Sequence, residues 1–420
     1  MRERSYDAVV IGGGAAGMAA ALRIAEAGYA TAIVEREEGL GGILMQCIHN
    51  GFGLHRFKEE LTGPEFAERL IEQVNVSKID VFLKTTVMEI VPDKDCRRLV
   101  VCGPDTGVMQ LNARAVVLAM GCRERNRGNL GIPGTRPSGI FTAGLAQRLI
   151  NIEGYVPGRR VVIIGSGDIG LIMARRLHWV GAEVLGVVEI LPYPSGITRN
   201  IVQCLQDFKI PLYLSHVVTR IDGRDRVEGV EVAPLEDGVP DKSRAFQIAC
   251  DTVLLSVGLI PENELSQQAG VRIGHDTGGP VVDARLMTNL EGVFACGNVL
   301  HVHDLVDWVA EEAERCGDAV VAYLEAGVVL AKQGAVTPGA NVKYVVPHHY
   351  LPERDAHFSL RALVVKDRAE LVVRRAGAVI KRRVLRHVKP AEMIYFKMSG
   401  EELPPSPPQE APAPLEIAVE

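Results

Sequence analysis

The stretch Tyr6-Asp7-Ala8-Val9-Val10-Ile11-Gly12-Gly13-Gly14-Ala15-Ala16-Gly17 decides the predicted fold of this chain. Its apolar, β-branched first half is typical of a buried parallel strand. Residues 18–27 then predict a helix that ends at Gly28. A second predicted strand, residues 31–34, is followed by the acid Glu35. Strand, glycine turn, helix, strand and terminal acid in this order indicate a unit that binds a dinucleotide.

Each glycine of this turn has its own physical role. Gly12 allows a tight turn, Gly14 lets the backbone approach a pyrophosphate, and Gly17 lets the helix pack closely on the strand. The helix N-terminus then offers unpaired N–H groups and the positive end of its dipole to the phosphates. Glu35 lies 23 residues after Gly12 and is placed to bind the ribose hydroxyls of an adenosine.

The same pattern restarts near residue 155. An apolar run at 160–164 leads into Gly165-Ser166-Gly167-Asp168-Ile169-Gly170, and a second strand, 184–188, ends at Glu189. Gly165 and Glu189 are 24 residues apart, against 23 in the first copy. Two copies of one mechanism predict that the chain binds two dinucleotides.

The acid of the second copy predicts which nicotinamide cofactor is bound. Glu189 would accept a hydrogen bond from a free ribose 2′-OH and would repel a 2′-phosphate. We therefore expect NAD(H) rather than NADP(H), with Arg199 as the residue that could reverse the preference.

The bulk properties narrow the class of protein. A length of 420 residues predicts two or three domains, and a net charge of −6 argues against a general nucleic-acid binder. We expect no leader sequence and find no apolar run of membrane-spanning length. The eight cysteines are scattered, with none in CxxC or CxxxxC spacing. This spacing predicts neither a redox disulfide nor a zinc or iron–sulfur site, and it favours a reducing cytoplasm.

The order of elements predicts an α/β fold with two Rossmann-like dinucleotide-binding domains, the second inserted in the first, plus a small C-terminal all-β domain. Strand-like alternation recurs at 360–365, 370–375, 378–384 and 393–396. The predicted boundaries are 1–153 and 283–328 for the two parts of the first domain, 154–282 for the second domain, 329–342 for a linker, 343–400 for the β-rich domain and 401–420 for a disordered tail.

These landmarks resemble the two-dinucleotide-binding-domain flavoproteins, which share a glutathione-reductase-like fold, over about residues 5–328. The resemblance implies that the first unit binds FAD and the second NAD(P)H. The alanine–threonine–glycine motif of that group corresponds to Ala119-Met120-Gly121. Its late glycine–aspartate motif, which touches the ribityl chain, corresponds to Gly297-Asn298. Asn298 keeps a carbonyl oxygen but lacks the carboxylate charge.

The resemblance implies two sets of cofactor-binding residues. Those expected at FAD are Gly12, Gly14, Ala15, Ala16, Gly17, Glu35, Arg36, Gly41, Gly42, Gln46, Val87, Ala119, Met120, Gly121, Gly297, Asn298, Asp304 and Leu305. Those expected at NAD are Gly165, Gly167, Asp168, Ile169, Gly170, Glu189 and Gly258.

Residues 46–53, 165–176 and 295–307 are similar to one branch of this group. That branch is the NAD(P)/FAD-dependent oxidoreductase subunit that accompanies a glycerol-3-phosphate-dehydrogenase-like flavoprotein. Its relatives are the α subunits of proline, opine and hydrogen-cyanide-forming dehydrogenases. The resemblance implies electron exchange between NAD(H) and such a partner, with a small iron–sulfur protein as a further expected partner, in an oligomeric assembly.

Three other functions stay open at this point. The first is the α subunit of an amino-acid, opine or sarcosine-type dehydrogenase. The second is a stand-alone NADH oxidase, and the third is a non-catalytic scaffold that retains FAD for stability.

The candidate catalytic residues are Cys47, His49 and His303, all expected near the flavin. Cys47 has three interpretations, namely a single redox thiol, a flavin-facing contact or an inert packing cysteine. Asn50 and His55 share its loop. His301, His303 and Asp304 offer too few ligands for a metal site, so we expect a polar shell at the flavin and no bound metal.

The predicted β-rich domain is basic although the chain as a whole is acidic. Between Lys343 and Lys397 it carries thirteen lysines and arginines against five acids. This surface is either a solvated basic face or a docking surface for an acidic partner subunit or an anionic membrane.

Overall fold

The computed structural model describes residues 2–93, 96–326, 332–405 and 410–420. Its helices are α1 (Ala15–Glu26), α2 (Gly63–Val76), α3 (Arg127–Leu130), α4 (Ala143–Asn151), α5 (Asp168–Trp179), α6 (Thr198–Ile201), α7 (Glu264–Gln268) and α8 (Val306–Ala326).

The strands, in chain order, are β1 (Arg2–Ile11), β2 (Thr31–Val34), β3 (Asn50–Phe52), β4 (Leu61–Thr62), β5 (Asp80–Phe82), β6 (Thr86–Pro92), β7 (Arg97–Gly103), β8 (Gly107–Leu118), β9 (Cys122–Glu124), β10 (Ile140–Thr142), β11 (Arg160–Ile164), β12 (Glu183–Val188), β13 (Leu212–Tyr213), β14 (His216–Gly223), β15 (Val227–Glu236), β16 (Val239–Pro240), β17 (Phe246–Ile248), β18 (Thr252–Leu255), β19 (Leu259–Pro261), β20 (Val293–Ala295), β21 (Gly334–Pro338), β22 (Val342–Val346), β23 (His349–Tyr350), β24 (Ala356–Ala362), β25 (Lys366–Arg375), β26 (Ala378–Val388), β27 (Met393–Met398) and β28 (Leu415–Val419).

The chain divides into two compact units. Unit one is Met1–Cys122 with Pro261–Glu420, and unit two is Arg123–Ile260. In unit one, the strands run in the order β5-β2-β1-β8-β7-β6, with β20 also paired to β8. Val9 lies opposite Ala32 on one side and Val116 on the other, and all three are fully buried. This burial on both sides is what the unbroken apolar run of β1 requires.

Unit two contains a parallel sheet in the order β10-β18-β11-β12-β13 and an antiparallel sheet built from β14 to β17. It begins and ends earlier than the predicted bounds of 154 and 282. The early start follows from β10, which pairs with β18, and from α4, which packs on α5. The early end follows from α7, which packs on β6 of unit one.

The C-terminal β domain consists of two facing sheets with one shared core. The sheets are β23-β21-β28-β25-β26 and β22-β24-β27, and Phe358, Leu371 and Ile417 meet between them. His348 donates its N–H to the Val282 carbonyl, which ties this domain to the rest of unit one. The predicted α/β class with two Rossmann-like domains and a C-terminal β domain is confirmed.

Two of the expected irregular segments are wrong in part. The tail predicted to be disordered contains β28, which lies between β21 and β25 and is buried at Leu415, Ile417 and Val419. The predicted linker contains β21. Residues 327–331, at the predicted junction of the first domain and the linker, and residues 406–409 of the predicted tail lie outside the described residues. Within the part of the chain that the structure describes, no helix is both long and apolar enough to cross a membrane.

Candidate functional site

The first glycine turn divides into positions needed for packing and a position left open. A Cβ at Gly12 would collide with the Ala119 carbonyl oxygen, and one at Gly17 would collide with that of Gly12. A Cβ at Gly14, the N-cap of α1, would meet no protein atom within 4 Å. The space in front of the α1 N-terminus is therefore open, as a bound pyrophosphate requires.

Other predicted FAD residues converge on the same point. Gly42 lies against Gly14, because a Cβ at 42 would come within 3.2 Å of the Gly14 Cα. Gly297 lies against Ala16, where a Cβ would be 2.7 Å from the alanine methyl. The Ala119-Met120-Gly121 motif reaches this turn through the Ala119 carbonyl. Four distant chain segments thus meet at the start of α1.

Glu35 is buried at the edge of this cradle. Its Oε2 accepts the Gly13 N–H at 2.6 Å and its Oε1 accepts the Glu37 N–H at 2.8 Å. A carboxylate has about four acceptor positions, so two stay available for ribose hydroxyls. The Thr85 N–H donates to the Glu35 carbonyl, and Val87 follows on β6. Next to it, Arg36 is exposed and forms an ion pair with Glu37.

The loop that carries Cys47 and His49 is held at α8 by a buried acid. Asp307, in the first turn of α8, accepts the N–H groups of Gly53 at 3.1 Å, His55 at 3.0 Å and Arg56 at 2.8 Å. The His55 ring packs on Trp308, with centroids 4.9 Å apart. Asp307 is not among the residues predicted from the sequence, although an acid in the first turn of a helix is a recognisable signal.

The thiol of Cys47 is protonated at neutral pH. Its Sγ donates to the Ile43 carbonyl at 3.3 Å, and desolvation raises the pKa of Cys47 to about 12. Because the thiolate is the reactive form, this environment disfavours a redox nucleophile. On the same loop, His49 contacts the Asn50 carbonyl through Nδ1 at 3.1 Å, and its ring lies 5.0 Å from that of Phe52.

A buried network joins Gly297 to two histidines. Glu312 of α8 accepts the Gly297 N–H at 2.8 Å through Oε1. Its Oε2 lies 2.8 Å from His301 Nε2 and 3.4 Å from His303 Nε2. Burial opposes the charge of Glu312, but His303 and His301 outweigh it and hold the Glu312 pKa well below its usual range. Glu312 is not among the residues predicted from the sequence. Its hydrogen-bond partners His301 and Gly297 lie 11 and 15 residues before it in the chain.

The two histidines and Glu312 have ligand atoms within 4.8 Å of one another, close enough for a metal ion among the described residues. Three ligands are fewer than the four of a closed structural zinc site. One oxygen of Glu312 is hydrogen-bonded to His301 and lies 3.4 Å from His303 Nε2, and the other accepts the Gly297 N–H. Burial lowers the pKa of His301, which favours a neutral imidazole. We therefore interpret the cluster as a hydrogen-bonded network.

The side chains of two predicted FAD residues, Asn298 and Asp304, form hydrogen bonds with other protein groups. Asn298 Oδ1 accepts the His303 N–H at 3.0 Å, which leaves the amide NH₂ as the group it can offer. Asp304 accepts from the Arg361 guanidinium through one oxygen and from the Met393 N–H at 2.6 Å through the other. Arg361 and Met393 belong to the C-terminal β domain, so Asp304 ties that domain to the segment before α8.

Unit two repeats the arrangement of the first cradle. A Cβ at Gly165 would collide with the Ser256 carbonyl oxygen, so this turn is also tightly packed. A Cβ at Gly167, the N-cap of α5, would lie 3.3 Å from Ser256 Oγ. At Gly258, the nearest atom to an added Cβ would be Arg125 Nε at 4.0 Å. Gly258 therefore borders accessible space, whereas a side chain at Gly167 would press against Ser256.

The acids of this second unit have different surroundings. Glu189 is buried and accepts the N–H groups of Ser166 at 2.9 Å and Leu191 at 3.0 Å. Like Glu35 it follows a buried strand and accepts backbone N–H groups, but its Oε2 also accepts the hydroxyls of Ser166 and Ser195. Asp168 instead accepts the Ile197 N–H at 2.9 Å, which connects the α5 N-terminus to the segment before α6. A direct contact between Asp168 and NAD stays a prediction.

Replacing the N-cap glycines of α1 and α5 one at a time tests both cradles. We expect Gly14→Ala to fold, because φ is −75° and no atom obstructs the new methyl group. We expect its FAD affinity to fall by roughly a hundredfold, or about 2.7 kcal/mol, because the methyl fills the pyrophosphate space. Absorbance of bound flavin and circular dichroism measure the two effects.

Gly167→Ala is the matched variant in the other cradle. We expect it to retain FAD and to bind NADH weakly. A Gly14→Ala protein with the wild-type content of FAD would contradict the assignment of the first cradle.

The comparisons with known proteins agree with this geometry. The sequence profile of the pyridine nucleotide-disulphide oxidoreductase family matches residues 6–326. The chain is 29% identical over 289 residues to hydrogen cyanide synthase subunit HcnB of Pseudomonas protegens, covering 64% of this chain and 59% of that relative. It is 30% identical over 319 residues to NAD(P)H sulfur oxidoreductase (CoA-dependent) of Pyrococcus abyssi, covering 71% and 63%. Each match thus spans less than two thirds of the relative's length.

Among solved structures, thioredoxin reductase of T. acidophilum superposes with a TM-score of 0.62 at 24% identity, over 76% of this chain and 98% of that one. This similarity supports the fold. With the profile match over most of the chain and both cradles in place, the chain belongs to the pyridine nucleotide-disulphide oxidoreductase family.

Proposed function

We propose that this oxidoreductase exchanges electrons between NAD(H) and a partner redox subunit through FAD, without a redox disulfide of its own. FAD, when bound, supplies the chemistry of accepting a hydride from reduced nicotinamide and passing its electrons on. The protein supplies position through the two cradles and through Glu35, Asp307 and Glu312.

The environment of Cys47 carries this proposal. Its thiol is desolvated and protonated, and the next cysteine along the chain is Cys96. None of the eight cysteines, all of which lie within the described residues, forms a disulfide. Cys296 and Cys316 do contact one another, but both are fully buried. Electrons that reach the flavin therefore need an exit other than a dithiol beside it.

We favour a partner subunit as the acceptor of the electrons that leave the flavin. By resemblance it is a glycerol-3-phosphate-dehydrogenase-like flavoprotein, with a small iron–sulfur protein as a further component. The name of the hydrogen cyanide synthase relative, which is itself a subunit, supports a multi-subunit assembly. The same relative supports the alternative of an α subunit in an amino-acid, opine or sarcosine-type dehydrogenase.

The C-terminal β domain offers a surface that suits an acidic partner. β26 lies at the end of its sheet, and Arg382, Arg383 and Arg386 on it are exposed. In the ladder with β25, Arg386 lies directly opposite Arg368. Like charges in opposed positions destabilise a strand pair, so an external anion would relieve a cost that the isolated domain bears. This is why we favour docking over a merely solvated face.

The transfer of electrons from the reduced flavin to an acceptor can be tested with the purified chain, first under anaerobic conditions and then in air. We expect NADH to bleach the flavin rapidly, an artificial dye to be reduced, and oxygen consumption to be slow. Stopped-flow absorbance and an oxygen electrode measure these rates. Cys47→Ser should leave all three rates unchanged, because a protonated packing thiol takes no part in them.

Each other outcome points to a specific alternative. Rapid oxygen consumption by the isolated chain would indicate an NADH oxidase and would contradict the partner proposal. Absence of bleaching would indicate a scaffold that holds FAD without turnover.

The nicotinamide preference depends on the charge of Glu189. We expect the wild-type kcat/KM to favour NADH, and Glu189→Gln to reduce that preference about tenfold, or about 1.4 kcal/mol. Glutamine keeps an oxygen that accepts the Ser166 N–H but does not repel a 2′-phosphate. Glu183→Gln, an exposed acid on the same strand, is the control and should leave the preference unchanged. A wild-type preference for NADPH would contradict our interpretation of Glu189.

A further inference from the structure

We propose that a basic cavity in unit one binds a small polyanion that carries phosphate or carboxylate groups. The cavity has a volume of about 320 Å³ and lies where α8, the 284–286 turn and the start of β24 meet. Its charged lining consists of Arg285, Arg315, Arg354, Asp355 and His357. None of these residues is among those expected to hold FAD or NAD, so the site is additional to the proposed function.

Two of the three arginines are held in place by acids outside the cavity lining. Arg285 contacts Asp283 through Nη2 at 2.7 Å and through Nε at 3.0 Å. Arg315 contacts Glu311, one turn back on α8, through Nη1 at 2.9 Å. A guanidinium has five N–H donors, and the contact with Glu311 uses one of those of Arg315. Asp283 and Glu311 therefore fix the positions of these two guanidinium groups at the cavity wall.

Arg354 and Asp355 complete the charged lining of the cavity together with His357. Within the described ranges, Arg354 forms no ion pair, and its side chain is exposed at the cavity. Asp355 accepts from Lys397 Nζ at 2.6 Å and from the Gly400 N–H at 3.0 Å. Because its two oxygens are used by β27 and the residues after it, Asp355 does little to offset the arginines.

His357 also lines the cavity, near the positive charges of Arg315 and Lys397. It lies on β24 between the buried residues Ala356 and Phe358. Partial burial lowers the pKa of His357, and the charges of Arg315 and Lys397 lower it further. A neutral imidazole at this position can donate to or accept from a bound ligand.

The geometry indicates the class of ligand. Planar guanidinium groups bind phosphate and carboxylate oxygens through paired N–H donors. Arg315 and Arg354 line the same small cavity and can each bind one anionic group, so a ligand with two such groups would satisfy both. The volume is at the lower end of the range for small-molecule sites, which fits a compact metabolite with two or three charges.

Thermal unfolding of the FAD-loaded enzyme, saturated with NAD⁺, tests the site with inorganic phosphate and citrate as probes. Ionic strength is held constant with NaCl. We expect at least one probe to raise Tm in a saturable way, because a ligand of the native state stabilises it. Arg354→Gln and Arg315→Gln should each raise the half-saturating concentration at least about tenfold.

Arg98→Gln, at an exposed arginine on β7 that does not line the cavity, is the matched control and should bind like the wild type. A response to phosphate alone assigns a phosphate ligand, and a response to citrate alone assigns a polycarboxylate. No shift beyond that of NaCl, or a shift that both cavity variants retain, overturns the proposal. NADH reduction of the flavin is not the readout, so this result is separate from the proposed function.

Discussion

The close approach of α1 to the end of β1 is the constraint on which the first cofactor cradle depends. Gly17 packs on the Gly12 carbonyl, and Gly12 packs on that of Ala119, so neither position has room for a side chain. This contact places the helix N-terminus at the carboxyl end of a parallel sheet, where dinucleotides bind in doubly wound folds. Gly42 and Gly297 reach the same point from loops far away in sequence.

Buried carboxylates hold these segments together. Each accepts backbone N–H groups from a part of the chain that is distant in sequence, and such charge-assisted bonds are stronger than neutral ones. The pairs are Glu35 with Gly13, Asp307 with Gly53, His55 and Arg56, Glu312 with Gly297, and Asp304 with Met393. The last pair makes the C-terminal β domain a structural neighbour of the segment before α8. Removing that domain would therefore disturb the segment that precedes α8.

Local patterns predicted the two cradles because their requirements are local. A turn that admits only glycine, and an acid at the end of the next strand, can be read from about thirty consecutive residues. The packing of Gly12 and Gly17 and the burial of Glu35 and Glu189 follow that pattern.

Contacts between distant residues could not be predicted in this way. β28 follows a proline- and glutamate-rich segment, and its strand character depends on pairing with β21 and β25. Glu312 and Arg361 look like ordinary charged residues until the fold brings them to Gly297 and Asp304. Asn298 illustrates the same limit, since the use of its carbonyl by His303 depends on the path of the loop.

The central claim is that one chain holds two separate dinucleotides, FAD in unit one and NAD in unit two. Native mass spectrometry of the purified protein tests it most directly, by counting bound cofactors per chain before and after NAD⁺ is added. Our account predicts one FAD per chain at the start and one additional NAD afterwards. A colourless protein without the mass of FAD, or NAD⁺ that binds only by displacing FAD, would contradict it.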